Sequence, residues 1–461
     1  MLVGLCPPPS DNFVNALQYI LIFAFAAALS CVSCKMTCAL PSDTQIVYDS
    51  AAALLKQGTL NVEYDFSTFY PELGYYTLAD YYCRSSNNIM LLLIITAVYA
   101  VGAPLGVEVG TADGQWLAVF ATALSVAVAV HMLCKSVQHI FKRPVAYFQC
   151  LALNALFLCY YYSCPNFYTD IWILCPIFCG LYFAVRFFET QKKHFAVVCS
   201  LFWSIACELK VTSAIMLIAL CIYLILRKQS SPKEKATLLL LFTLPFFAYI
   251  FVFHAWYHHC GLFDFSRYEE LYYPWTVWLS FGSHGQGGYH YEDAVFAYKT
   301  PFEQRDKAVA EHIKEIFSSY TFSEYLRFLK NKLSFVLGDG LFEGGEYAYW
   351  ALFQNWTNKF TNPLYVENSY ALMWADSFTL MLWCCGAATS LLQIKRRDNS
   401  WLLFVNIAIF GFIFYLSLFE AAPRRMIPAM LLLMVDAVYL LRRFGEAICD
   451  ASSRRTAANK D

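Results

Sequence analysis

Charged side chains are missing from block after block of this chain. Each block is roughly 16–22 residues long, the length a helix needs to cross a bilayer core of about 30 Å. Asp, Glu, Lys and Arg make up 15% of the 461 residues and apolar types, Tyr included, 59%; a soluble domain carries about 25% charge. An ordinary soluble enzyme and a disordered chain are both excluded, and the expected fold class is an all-α polytopic membrane protein. The candidate spans are 14–34, 115–134, 146–163, 168–187, 195–209, 211–226, 236–256, 371–393, 401–419 and 426–441. A further apolar run, 88–106, contains Gly102, Pro104 and Gly106.

Basic residues orient the set, because Lys and Arg concentrate in cytoplasmic connections. Lys135, Lys142 and Arg143 share one connection, Arg186, Lys192 and Lys193 the next, and Arg227, Lys228, Lys233 and Lys235 a third. Lys395, Arg396 and Arg397 fill a fourth, and the tail adds Arg442, Arg443, Arg454, Arg455 and Lys460. All fall on one side, so 88–106 is read as re-entrant or interfacial, and both termini as cytoplasmic. The organisation expected is a transmembrane module over 1–256 with a first outer loop at 35–87, a large and partly helical outer loop at 257–370, and C-terminal helices with a basic tail over 371–461. In the large loop Val309, Ile313, Ile316 and Phe317 recur at helical spacing among charges, so that stretch is expected to lie on the membrane or cap a cavity. No internal repeat is evident.

A net charge of −1 argues against a nucleic-acid partner, which calls for a basic domain or face. Most of the 18 cysteines lie inside apolar blocks, where Cys behaves as a small hydrophobe. Cys31 and Cys34 form one CxxC without a second pair, so neither a Cys metal site nor redox chemistry is expected. The N-terminus lacks a basic start and a small-residue cleavage site, so the first block is read as a retained helix.

A charge within or beside an apolar block is costly and marks a functional candidate. Five groups stand out, all on the outer side by this topology: Asp43, Asp49 and Glu72 with Glu63 and Asp65; Tyr168-Thr169-Asp170; Glu208-Leu209-Lys210; Glu420 through Arg424-Arg425; and Gly285-Gln286-Gly287-Gly288-Tyr289-His290-Tyr291-Glu292-Asp293. Asp43 and Asp170 supply carboxylates and Lys210, Arg424 and Arg425 cations, from separate spans but at one membrane depth. A carboxylate in reach of a hydroxyl can act as general base, and Arg and Lys are the usual partners of phosphate oxygens. Other readings stay open: Asp43 and Asp170 as helix caps, Lys210 as a snorkelling anchor, the two arginines as an interfacial anchor, Asp49 as a surface group, the Gly-Gly-Tyr-His run as a turn. The lone GxGG lacks the strand and the Gly-Lys-Ser/Thr of a phosphate loop. His258, His259, His284 and His290 hint at a metal but lack HExxH spacing, so no metal is assigned; a divalent ion is kept only as a remote alternative.

The order of motifs resembles the multi-spanning GT-C glycosyltransferases, nearest the bacterial branch similar to protein mannosyltransferases and the lipid A aminoarabinose transferase (families 39 and 83). The matching residues are Ser42-Asp43, Tyr48-Asp49, Gly58, Phe69-Tyr70-Pro71-Glu72-Leu73-Gly74, Tyr168-Thr169-Asp170, Lys210, Gly287-Gly288-Tyr289, Glu292-Asp293, Gly338-Asp339-Gly340 and Glu420 with Arg424. The resemblance implies a bundle of about 10–12 transmembrane helices. It implies an inverting transferase that moves a sugar from a polyprenyl-phosphate carrier to a hydroxyl of a glycan, lipid or protein acceptor on the outer face of a bacterial cell membrane. Asp43 would be the catalytic base and Lys210, Arg424 and Arg425 would bind the donor phosphate. Asp49, Tyr70, Glu72, Tyr168, Asp170, Tyr289, Asp293 and Glu420 would support the site or bind acceptor. The chain departs from the pattern at Thr44 where an acid is usual, at Glu72 where Asn is, and at Arg425 where an aromatic is. Diphosphate-using relatives carry an Asp-x-Asp metal motif in the first outer loop; residues 35–87 have only Glu63-Tyr64-Asp65.

Three rivals remain. A polysaccharide polymerase or ligase would also keep a large outer loop but would not depend on Asp43. A transporter of a soluble or lipid-linked solute would need charges through the bilayer, for which His131, His254, Asp376 and Asp436 are the candidates. An assembly subunit would need no meeting of acids and cations.

Overall fold

The computed structural model describes residues 11–34, 42–67, 70, 72, 74–227, 231–343, 370–396 and 401–458. Phe69, Pro71 and Leu73 of the resemblance, parts of both large loops (35–41 and 344–369), and Asn355-Trp356-Thr357, which reads as a glycosylation pattern, lie outside them. Among the described residues the fold is all-α; an isolated bridge between Glu63 and Thr77 is its sole β pairing.

The N-terminal half contains α1 (Asp11–Ser33), α2 (Ser42–Gln57), α3 (Leu78–Arg84), α4 (Asn88–Gly102), α5 (Ala112–Phe141), α6 (Pro144–Ala155), α7 (Cys159–Ser163), α8 (Thr169–Trp172), α9 (Leu174–Thr190), α10 (Lys193–Leu209), α11 (Ala214–Leu226) and α12 (Pro232–His259). The large loop contributes α13 (Tyr268–Leu271), α14 (Trp275–Phe281), α15 (Tyr291–Lys299), α16 (Phe302–Ser319) and α17 (Phe322–Gly338). The chain closes with α18 (Tyr370–Arg396), α19 (Trp401–Leu418) and α20 (Ile427–Ala458).

Local chemistry sets the ends of these helices. The Thr111 hydroxyl accepts from the Gly114 N–H to start α5, which stops at Lys142 in the left-handed region (φ 54°). Pro144 then opens α6, where its missing N–H costs nothing. Thr77 and Asp80 form a reciprocal capping box on α3. Helix α9 is the hub and packs on α5 and α10, which in turn packs on α12. Trp203 is fully buried and donates its indole N–H to the Ile177 carbonyl (3.1 Å). A Cβ at Gly180 would lie 2.3 Å from that nitrogen, so the α9–α10 contact requires glycine there.

Among the described residues seven helices are long and apolar enough to cross a membrane, and Val211–Leu226 is a shorter apolar helix. That is fewer than the 10–12 expected: besides 211–226, three of the ten expected spans are not among the seven, which include the 88–106 run. The 146–163 block breaks into α6 and α7 around Leu156–Leu158; α10 is only 17 residues long; and the 426–441 block is the deeply buried start of α20. The 88–106 run is one uninterrupted helix to Gly102, its Pro104 and Gly106 falling beyond the end. It is long enough to span, yet both its ends meet the same end of the bundle. Asn88 donates to the Tyr81 hydroxyl beside Asp43, and the Tyr99 hydroxyl donates to the Gly114 carbonyl at the start of α5 (3.0 Å).

The opposite end collects the basic residues. Lys135 reaches Asn15 and Gln18 of α1, His139 and Arg186 pair with Glu189, and Arg143 approaches Glu446. The start of α1 and the later turns of α20 therefore lie at one end of the molecule, with α9 running from there to the site described next.

The apolar face of α16 differs from its expected use. Val309 and Ile313 are buried against Tyr273, Val277 and Phe281 of the same loop, forming a small core of its own. Arg305 fixes this core to α13 by donating to the carbonyls of Glu270 (3.0 Å) and Tyr272 (2.5 Å).

Candidate active site

Asp43 sits in the first turn of α2, but its carboxylate does not cap the helix. Oδ1 accepts from the hydroxyls of Tyr70 and Tyr81, each at 2.8 Å, and Oδ2 from the hydroxyl of Tyr168 at 3.0 Å. Three phenols from three separate segments thus converge on one carboxylate. Burial, reinforced by the Asp43 charge, holds the Tyr70 and Tyr81 phenols well above their ordinary pKa, so both stay protonated donors. Arg84 lies behind them, donating to the Tyr75 hydroxyl (2.9 Å) and standing 4.1 Å from the centroid of the Tyr273 ring. The Asp43 carboxylate is otherwise only half-buried.

A second group lies on the other side of Tyr168. Asp170 is buried and accepts from Lys210 and, at 3.0 Å, from Nε of Arg424. Arg424 also pairs with Glu343. Backbone breaks aim these side chains. Helix α10 ends at Lys210, whose extended backbone separates it from the next turn, and Pro423 opens the short 3-10 turn Pro423–Met426 that carries Arg424. Asp339 caps the segment before Glu343, taking the N–H of Leu341 (2.9 Å) and of Glu343 (2.6 Å). The N–H of Gly340 meets Asp376 of α18 at 2.9 Å, and a Cβ on Gly340 would strike the Ala375 backbone at 2.3 Å. Gly338-Asp339-Gly340 is therefore the hook that delivers Glu343.

Tyr168 joins the two groups. Its hydroxyl is on Asp43, while Nζ of Lys210 lies 5.6 Å and Cζ of Arg424 6.0 Å from its ring centroid. Residues separated by 125 and 254 positions in sequence meet here. A half-buried carboxylate held by three phenols, one aromatic ring away from a pair of cations, is an arrangement suited to accepting a proton at one point and steadying negative charge at another.

The other expected residues do not all join it. Arg425 is placed apart from that cluster: its guanidinium is buried against the Glu420 carboxylate and carbonyl (2.9 Å to the latter). Neighbours on a 3-10 turn point about 120° apart, so Arg424 and Arg425 serve different partners. Asp49 is held by Gln45 (3.0 Å) and Tyr64 (2.7 Å) within the first loop. Glu72 makes an exposed pair with Lys299 at 2.8 Å. Tyr289 is exposed, packs on Phe281 at 5.0 Å and lies close enough to Arg84 and Asp43 to feel their charge. Asp293 belongs to a histidine cluster apart from Asp43. Of the interior candidates for a transport path, His254 pairs with Glu208, His131 with the Tyr147 hydroxyl, and Asp376 with Gly340; Asp436 is buried without a hydrogen-bond partner for its carboxylate among the described residues.

The family model of dolichyl-phosphate-mannose-protein mannosyltransferases matches residues 98–254, about a third of the chain. The match covers Tyr168, Asp170 and Lys210 and stops short of Asp43 and Arg424. No curated protein matches the sequence. Among solved structures, the oligosaccharyltransferase of Archaeoglobus fulgidus in the apo form is 10% identical, with a TM-score of 0.47, over 94% of this chain and 52% of that one. The archaeal oligosaccharyltransferase AglB from the same organism, in complex with an inhibitory peptide and a dolichol-phosphate, is 12% identical with a TM-score of 0.43 over the same shares. ArnT from Cupriavidus metallidurans bound to undecaprenyl phosphate is 13% identical, with a TM-score of 0.35, over 91% of this chain and 78% of that one. The chain spans about half the length of the two archaeal proteins. Residues 98–254 of this all-α membrane protein are thus similar to the dolichyl-phosphate-mannose-protein mannosyltransferases.

Proposed function

We propose that the protein is an inverting glycosyltransferase that moves a sugar from a polyprenyl-phosphate carrier to a hydroxyl acceptor, on the outer face of a cell membrane with both termini cytoplasmic. The observation that carries this reading is Tyr168 standing between the Asp43 carboxylate and the Lys210–Asp170–Arg424 cluster. Asp43 takes the proton of the acceptor hydroxyl as that oxygen attacks the anomeric carbon from the face opposite the phosphate. The bond between anomeric carbon and phosphate oxygen breaks with its electron pair going to oxygen. The carrier phosphate thereby passes from one negative charge to two. Lys210 and Arg424 meet the added charge, and Asp170 holds both in place beforehand. Cations already oriented in a site with little water are effective because they need no reorganisation during reaction. Tyr70, Tyr81 and Tyr168 fix the carboxylate, and Asn88 supports Tyr81 by donating to its hydroxyl. One displacement inverts the anomeric centre.

The test supplies purified protein in nanodiscs with a radiolabelled polyprenyl-phosphate sugar and a membrane extract as acceptor source. The expected outcome is consumption of the lipid-linked sugar and a product of opposite anomeric configuration. Retention of configuration, or no consumption while a soluble solute crosses the bilayer, would overturn the proposal.

A further inference from the structure

The large loop gathers three imidazoles around one carboxylate, and the transfer chemistry uses none of them. Asp293, at the start of α15, is buried, and its Oδ2 accepts from the Ser280 hydroxyl of α14 (2.5 Å) and sits 2.8 Å from Nε2 of His284. Its Oδ1 is 3.3 Å from Nδ1 of His290 and 3.4 Å from Nε2 of His312 on α16. The donor atoms of His284, His290 and Asp293 lie within 4.8 Å of one another. Nδ1 of His290 is buried and has no hydrogen-bond partner among the described residues, although it is aimed at the carboxylate.

We infer that His284, His290, His312 and Asp293 form a structural zinc site. The Asp293 carboxylate is engaged by Ser280, His284 and His312, while the buried Nδ1 of His290 beside it makes no hydrogen bond among the described residues, the unpaired position that a bound ion would fill. A divalent cation is the species that neutral imidazoles and a carboxylate can share. Three nitrogens and one oxygen make a borderline donor set that suits zinc. Tetrahedral zinc with bonds of about 2.0–2.1 Å brings donor atoms to about 3.4 Å from one another; those of His284, His290 and Asp293 already lie within 4.8 Å, and a rotation of His312, whose Nε2 is 3.4 Å from Oδ1 of Asp293, completes the set. The Ser280 hydroxyl would then hold the carboxylate oxygen from outside, the usual outer support of a ligand.

The site's position gives it a task. His284 and His290 bracket the Gly285–Tyr289 turn, whose Gly287 (φ +78°) lies against the Lys332 stem with no room for a Cβ. The Gly287 carbonyl accepts from the Ala421 N–H (2.5 Å), and the Lys332 ammonium donates to the Gly282 (2.5 Å) and Phe419 (2.7 Å) carbonyls. A metal would tie α14, α15 and α16 into one unit and press this turn onto the segment that leads into Arg424.

The experiment uses the full-length protein in nanodiscs, stripped with a chelator, reloaded with zinc and desalted, with no sugar donor present. Metal analysis is expected to find about one zinc per chain, and the thermal midpoint is expected to rise on reloading. Cobalt in place of zinc is expected to give the intense visible bands of a tetrahedral ion. The double variant His290→Gln/His312→Gln is expected to lose both the bound metal and the thermal shift, while His258→Gln keeps them. Wild type retaining well under one zinc, octahedral cobalt, or unchanged stoichiometry in the double variant would each overturn the site. Because zinc is counted without any donor, this outcome and that of the transfer assay are independent.

Discussion

The two ends of the bundle treat charge in opposite ways. At the site end Asp170 pairs with Lys210 and Arg424 across 40 and 254 positions of sequence, and these ions, with the neighbouring Glu420–Arg425 pair, are buried or nearly so. At the basic end Arg442 and Arg443 reach Glu446 four and three residues on, and Arg186 reaches Glu189, all partly exposed. Exposed pairs of the second kind form at little cost and contribute about 0.3–0.5 kcal/mol each. Burying paired charges of the first kind costs several kcal/mol of desolvation per ion and seldom stabilises a fold better than apolar packing would. A chain that is otherwise so poor in charge keeps its buried ions where they have a task beyond stability.

Substitutions can break or sharpen this contrast. The largest effect belongs to Asp170→Ala, which leaves Lys210 and Arg424 without their shared partner. Removing one member of a buried pair costs about 3–5 kcal/mol, so a fall in thermal midpoint and loss of transfer are expected together; a neutral result would remove the distinction between the ends. Next comes Arg424→Ala, expected to raise the KM for the lipid-linked donor about tenfold or more, a loss of the size expected for a charged hydrogen bond. Arg425→Ala should instead lower stability by stranding Glu420, with a smaller change in donor KM; equal or reversed losses in donor use would count against the separate placement of the two arginines. Tyr168→Phe keeps the ring beneath the cations and removes one hydrogen bond to Asp43, so the turnover rate should drop about five- to tenfold, the equivalent of about 1–1.5 kcal/mol, with donor KM little changed. Arg442→Ala closes the series: a stability change within about 0.5 kcal/mol and unaltered transfer.

Much of this was legible in the sequence because bilayer crossing and charge burial leave one-dimensional traces. The all-α membrane class follows from the charge-free blocks, and Asp43, Asp170, Lys210 and Arg424 stand out as ions at block edges. What the sequence could not show are partners defined only by tertiary approach. Tyr81 and Asn88 look like ordinary members of apolar helices, Arg84 like a loop cation, and Glu343 owes its position to a hook closed on α18. His312 lies 19 residues beyond Asp293, too far for any local metal motif. Sequence proximity also hides the rotation between consecutive residues, so it does not show that Arg424 and Arg425 take different partners. The break of the 146–163 block escaped notice since no Gly or Pro marks it.

The most direct measurement compares wild type with Asp43→Asn for binding of a polyprenyl-phosphate sugar and, separately, for single-turnover transfer. Asparagine keeps the shape of the side chain and can still meet the three tyrosines, but cannot take a proton. The predicted result is donor affinity close to wild type and transfer slowed by about 10²–10⁴-fold, the range for loss of a general base. Transfer at the wild-type rate, or a loss that appears only in donor binding, would contradict it.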